Sequence, residues 1–130
     1  MFKTSKILIV DDNSMISFYL KNQLEQRGFT NIEITHQAKG ILSCLESKSY
    51  QLVICNESFP EMTIDDLILR VRLRWYQEQP CFMIISEFWD ASSCIFNYVS
   101  SYSSQPIEIE SFVKKITELL FQKQKESRMV

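Results

Sequence analysis

Three short runs of the chain are apolar almost without interruption: residues 6–10 (KILIV), 51–55 (QLVIC) and 81–85 (CFMII). A strand with one face in water alternates apolar and polar residues, whereas a strand covered on both faces need not. These runs therefore predict parallel strands in a sheet with helices over both faces. Weaker strand candidates lie at 31–35 (NIEIT) and 98–102 (YVSSY). Between the runs, apolar residues recur at helical spacing: Ile16, Tyr19, Leu20 and Leu24 within 14–27, Ile41, Leu42 and Leu45 within 38–47, and Leu67, Ile68, Val71 and Trp75 within 64–76. After Pro106, the stripe Ile109, Phe112, Val113, Ile116 and Leu120 predicts a last amphipathic helix. Asn13 or Ser14 can cap the first helix and Gly28 can end it. Thr63 with Asp66 resembles a capping box before the third. Strands alternating with helices imply right-handed crossovers. The predicted class is α/β, a single-domain, doubly wound, five-stranded parallel sheet. The domain is predicted to span 1–122, with 123–130 as a frayed C-terminal tail or the start of a linker, because the apolar stripe is lost there.

Composition removes several function classes. The 130 residues are 45% apolar and 23% charged, as expected for one folded domain. Against 16 Asp and Glu stand 14 Lys and Arg, a formal net charge of −2. No basic field is available to neutralise a run of phosphates, so nucleic acid is not an expected partner. The longest apolar run falls far short of the roughly 20 residues of a membrane span, so no membrane partner is expected either. The first run is too short for a secretory segment and meets Asp11 and Asp12 at once, which predicts a cytoplasmic location. The four cysteines include no CxxC pair, and Cys55 and Cys81 read as reduced packing residues. His36, the one histidine, reads as a surface or strand-end residue.

Ligands of an open parallel sheet gather beyond the carboxyl ends of its strands. There the chain places Asp11, Asp12 and Asn13 after the first strand and Asn56, Glu57 and Ser58 after the third. Ser86 follows the fourth, and Gln105 and Pro106 follow the fifth. Two carboxylates after a buried strand are costly unless they meet a cation or hydrogen-bond donors. They fit either an oxygen-ligated Mg²⁺ site or the cap of the first helix.

Taken together, KILIVDDN, CNESFPEM, a strand ending in Ser86, and Gln105-Pro106 before an amphipathic helix resemble the receiver domain of bacterial response regulators (CheY-like), over nearly the whole chain. The resemblance implies a flavodoxin-like fold and a place in two-component signalling. In that family the adjacent acids bind Mg²⁺, an aspartate ending the third strand accepts a phosphoryl group, a Ser or Thr ends the fourth strand, and a Lys precedes the proline. Asp11, Asp12, Ser86 and Pro106 match, with Pro60, Met62 and Gly28 in support. Tyr102 stands where the family often has an aromatic that changes rotamer on activation, so Ser86 and Tyr102 are the implied switch. Two positions depart: the phosphoacceptor position holds Asn56, and Gln105 replaces the Lys. An amide is not the nucleophile that forms an acyl phosphate, and a neutral side chain cannot offset phosphoryl charge. The paired loss is consistent in itself, since a buried lysine without an anion opposite would suffer desolvation.

The sequence thus predicts a degenerate, phosphorylation-independent pseudo-receiver, not an enzyme, with no required cofactor and weak Mg²⁺ at Asp11 and Asp12. The alternative is an active phosphotransfer receiver with an atypical acceptor such as Glu57, Ser58 or Ser86. A flavodoxin-like cofactor binder is disfavoured, because two anions stand where a phosphate loop would be. The stretch from Ser86 to Gln105 is short for a helix and a strand, so the fourth helix is predicted to be short or irregular. It cannot bury Phe88, Trp89, Phe96 and Tyr98 together. Their surplus predicts a surface, made by the fourth helix, fifth strand and last helix, for a signalling partner or self-association. Arg70 and Arg74 read as a solvated face or a dock for an acidic partner.

If Trp89 or Tyr98 anchors that surface, Trp89→Ala or Tyr98→Ala should weaken partner binding or self-association by about 1–3 kcal/mol with little effect on folding. Binding assays run beside thermal melts check this. Unchanged binding with stability lowered by about 3–5 kcal/mol would place both rings in the core.

Overall fold

Ile7, Leu8, Ile9 and Val10 are each no more than 1% exposed, although successive side chains of a strand point to opposite faces. Both faces of this strand are therefore covered. In the computed structural model, which describes residues 2–11, 14–56, 64–73, 79–86, 101–104 and 108–128, the strands are β1 (Lys6–Val10), β2 (Asn31–Thr35), β3 (Leu52–Asn56), β4 (Cys81–Ser86) and β5 (Ser101–Ser104). They form one parallel sheet in the order β2-β1-β3-β4-β5. The α-helices among the described residues are α1 (Ser14–Gln26), α2 (Ala38–Ser47), α3 (Ile64–Leu73) and α4 (Ile109–Arg128), and a 3-10 turn, Phe2–Thr4, precedes β1.

Alternation along the strands divides the core in two. Ile7, Ile9, Leu52, Ile54, Met83 and Ile85 pack with Leu20 and Leu24 of α1 and Phe112, Ile116 and Leu120 of α4. Leu8, Val10, Val53, Cys55, Phe82 and Ile84 pack with Ile41 and Leu45 of α2 and Leu67, Ile68 and Val71 of α3. The predicted α/β fold with a parallel sheet and helices on both faces is present. Gly28 ends α1 as predicted, at φ 93, a left-handed conformation that β-carbons disfavour.

Several expectations need correction. Tyr19 was placed on the packing stripe of α1, but the buried residues there are Ser17, Leu20 and Leu24, and Tyr19 is 47% exposed. Ser17 fits the interior because its hydroxyl donates to the carbonyl of Ser14 at 3.2 Å. Among the described residues the last strand runs Ser101–Ser104, overlapping the expected 98–102 at its end, and residues 98–100, Tyr98 among them, lie outside the described residues. Serine has no apolar signal, so the strand was legible only by its aromatic neighbours. Cys55 is buried, whereas Cys81 is only half-buried. The helix does not fray at 123: α4 continues to Arg128, and Lys123 Nζ donates to the Gln79 carbonyl at 2.6 Å. Its start is capped by Glu108, whose carboxylate accepts from the amides of Glu110 and Ser111 at 3.1 and 2.8 Å. The expected short fourth helix and the caps at Asn13 and Thr63 lie outside the described residues. No helix among the described residues is long and apolar enough to cross a membrane.

The edge strand β2 is tied to the turn before β3 by one cluster. Tyr50, 1% exposed, donates its hydroxyl to Glu33 Oε2 at 2.5 Å, and Lys48 Nζ meets Glu33 Oε1 at 2.7 Å. The hydrogen bond from Lys48, then that from Tyr50, holds the Glu33 carboxyl below its ordinary value. A depressed folded-state value means that the stabilisation is present above the unfolded value of about 4.3 and is lost as pH falls through the folded one. Glu33→Gln should therefore flatten the acid limb of the melting temperature against pH. Superimposable acid limbs for the two chains would show that the cluster contributes nothing.

Candidate functional site

The strand order reverses between β1 and β3: the chain leaves β1 toward β2 on one side, and β3 lies on the other. A crevice opens where crossovers depart to opposite faces, at the carboxyl ends of these two strands. The residues placed there are Asp11, one position beyond the Val10–Cys55 pair, and Asn56, the last residue of β3. Asn56 pairs in register with Ile85. Ser86 ends β4 opposite Ser104 of β5, and Tyr102 stands opposite Ile84. The backbone thus places positions 11, 56 and 86 at one end of three neighbouring strands. Asp12, Gln105, Trp89 and Tyr98 lie outside the described residues.

Asp11 is 1% exposed, a rare condition for a carboxylate. Its charge also acts on the end of β3. Burial first, and the Asp11 carboxylate second, push the Cys55 thiol far above its ordinary range. The backbone of Asp11 extends the β1–β2 ladder by one residue: its amide donates to the Thr35 carbonyl at 3.3 Å, and its own carbonyl lies 2.9 Å from His36 Nδ1. A carbonyl can only accept, so Nδ1 carries a proton in this contact. Close packing holds the far side of the same turn. A β-carbon on Gly40 would fall 2.5 Å from Thr35 Oγ1, so α2 approaches the end of β2 as closely as glycine allows.

Sequence reasoning missed the surface beside this site. Met15, Phe18 and Tyr19 are 81%, 58% and 47% exposed, on one face of α1 at i, i+3 and i+4 spacing. The Phe18 ring stands edge-on to His36, with centroids 6.4 Å apart. The available signal was an excess: Met15, Ile16, Phe18, Tyr19, Leu20 and Leu24 are more apolar residues than one buried helix face needs. The basic reading of α3 is narrowed. Arg70 pairs with Asp66 at 3.2 Å. Arg72 is half-buried, donating to Gln79 Oε1 and the Pro80 carbonyl and lying 5.1 Å from the Phe82 ring centre. Arg74 lies outside the described residues.

Comparison with known proteins places this geometry among relatives. Residues 7–116 match the response regulator receiver domain family. A chemotaxis protein CheY of Pseudomonas aeruginosa is 37% identical over 67 residues, 52% of this chain and 54% of that protein. A CheY homolog of Campylobacter jejuni is 24% identical over 119 residues, 88% of this chain and 92% of that one. Among solved structures, the signal receiver domain of a Luxo repressor protein from Vibrio parahaemolyticus superimposes with a TM-score of 0.86 at 15% identity, covering 97% of both chains. A CheY-like receiver domain from Methanospirillum hungatei gives 0.82 at 24% identity, covering 95% of this chain and 98% of that one. At such identities these structures speak to the fold.

The buried end of β3 can be probed through its thiol. Cys55 is 0% exposed and its thiolate is disfavoured by both burial and Asp11. Alkylation at Cys55 in the native chain should be slower than in the unfolded chain by more than about 10³-fold, because it requires opening of the core. Peptide mass mapping after timed labelling reads this, and equal native and unfolded rates would contradict the burial.

Proposed function

The chain belongs to the response regulator receiver family, and from that premise we propose that it is a two-component signalling module that acts by protein–protein interaction without phosphorylation of its own third-strand position. The observation that carries this reading is the amide at the crevice: the last residue of β3, beside buried Asp11, is Asn56. Acyl phosphate formation needs a carboxylate oxygen to attack phosphorus, and the amide oxygen of Asn56 is a poor nucleophile. Gln105, in the position of the family's lysine, brings no positive charge to the transferred oxygens. Ser86 and Tyr102 then have no phosphoryl group to bias them, and a two-state change is driven only by a ligand with different affinities for the two states. A working output surface must accordingly be competent at rest. The expected segment between β4 and β5, with Trp89 and Tyr98, together with β5 and α4, is the proposed surface, for a protein partner or a second copy, and the low net charge of −2 argues against nucleic acid.

Asp11 and Asp12 are the residues that would hold Mg²⁺. Asp11 fits in its chemistry and place, being a buried carboxylate one position beyond the end of β1. A bound cation would offset the charge of the pair. The third ligand position, Asn56, offers an oxygen without charge, so binding should be weak and dispensable.

Intact mass after incubation with Mg²⁺ and acetyl phosphate or phosphoramidate tests the proposal, with no added phosphoryl group expected. A stable adduct mapping to Glu57, Ser58 or Ser86 would instead support the alternative, a phosphotransfer receiver with an atypical acceptor. Asn56→Asp alone should phosphorylate poorly, and Asn56→Asp with Gln105→Lys should phosphorylate readily. Full labelling of the single variant would show that charge at position 105 is unnecessary.

A further inference from the structure

The ladder between β1 and β2 ends at the Val10–Thr35 pair, yet Asp11 is held by two more hydrogen bonds. One is ordinary backbone pairing, from the Asp11 amide to the Thr35 carbonyl at 3.3 Å. The other is not: His36 reaches back with its ring and meets the Asp11 carbonyl at 2.9 Å. That carbonyl belongs to the peptide group by which the chain leaves Asp11. Because the peptide group is planar, fixing the carbonyl fixes the direction of departure and restricts the rotation of Asp11 about its own backbone. Phe18 lies edge-on to the ring at 6.4 Å, and the turn that carries His36 is drawn tight by the Thr35–Gly40 approach.

We propose that His36 is a positioning residue for the acidic site: its Nδ1–H fixes the peptide group after Asp11 and so presets the Asp11 carboxylate for a divalent cation. The inference rests on the reading of Asp11 as a cation ligand and goes beyond it by naming a residue that no motif marks. With amide and carbonyl both held, the Cα–Cβ bond of Asp11 has a set direction, so less freedom is lost when the ion binds, which is the general advantage of a preorganised outer shell.

Three substitutions separate positioning from other roles. Asn places its amide nitrogen where Nδ1 stood, Gln places its own where Nε2 stood, and Ala removes both. Mn²⁺ is titrated into the full chain and each variant, with free Mn²⁺ read by electron paramagnetic resonance. Without metal, NMR reads the protonation of the His36 ring nitrogens and the carbonyl carbon of Asp11. The wild-type ring should carry its proton on Nδ1, and the Asp11 carbonyl signal should move in His36→Ala and return in His36→Asn. Mn²⁺ binding should weaken roughly 10-fold in His36→Ala and His36→Gln, the low end for lost outer-shell partners, and stay near wild type in His36→Asn. Melting temperatures should be alike, because His36 is exposed. Equal Mn²⁺ binding by wild type and His36→Ala, or a wild-type ring protonated only on Nε2, would overturn the role of His36 while leaving the cation site standing. Weakening in His36→Asn with retention in His36→Gln would make His36 a direct ligand and overturn positioning. No Mn²⁺ binding by the wild-type chain would overturn the cation site, and with it the role assigned to His36.

Discussion

The parallel pairing of β1 with β3 is the contact on which the rest depends. Both strands are sealed on two faces, so their backbone groups have no recourse to water and must bond to neighbouring strands. Because β2 and β4 flank this pair on opposite sides, the crossovers leave in opposite directions and a crevice opens at the carboxyl ends. Asp11 and Asn56 stand at that crevice because of the register of two apolar runs, and no loop conformation is needed to bring them there.

That geometry makes the chemistry of two side chains decisive. Burial first, and the buried carboxylate of Asp11 second, disfavour the thiolate of Cys55 at the end of β3. A second carboxylate at position 56 would add to that charge, and in receivers the lysine before the proline and a metal ion help to balance it. Here the third-strand anion and the lysine are both replaced by amides. On the reading proposed above, these two amides stand in place of the nucleophile and of the group that would steady phosphoryl oxygens.

The fold was legible wherever burial on two faces left an uninterrupted apolar run, as in residues 7–10 and 82–85. It was less legible at β5, where Ser101, Ser103 and Ser104 carry no hydrophobic signal and strand identity comes from pairing with β4. The end of α4 was misjudged for a related reason: Lys123 looks like the start of a polar tail, but its ammonium satisfies a carbonyl on the neighbouring turn. At the site, Asp11 and position 56 could be read from their places after strands. The contact of His36 with the Asp11 carbonyl could not, because it crosses two strand ends and no local spacing encodes it. The exposed face of α1 was misread because periodicity cannot distinguish Tyr19, which faces solvent, from Ser17, which is buried.

Phosphorylation-independent action requires that the crevice reject a phosphoryl group even when one is supplied in its most favourable geometry. Beryllium fluoride with Mg²⁺ forms a tetrahedral, phosphoryl-like complex on an accessible carboxylate without needing bond cleavage. Fluorine NMR of the chain with Mg²⁺, beryllium and excess fluoride should show only the signals of free fluoride and free fluoroberyllates. Protein-bound fluorine resonances that saturate at one site per chain would contradict it.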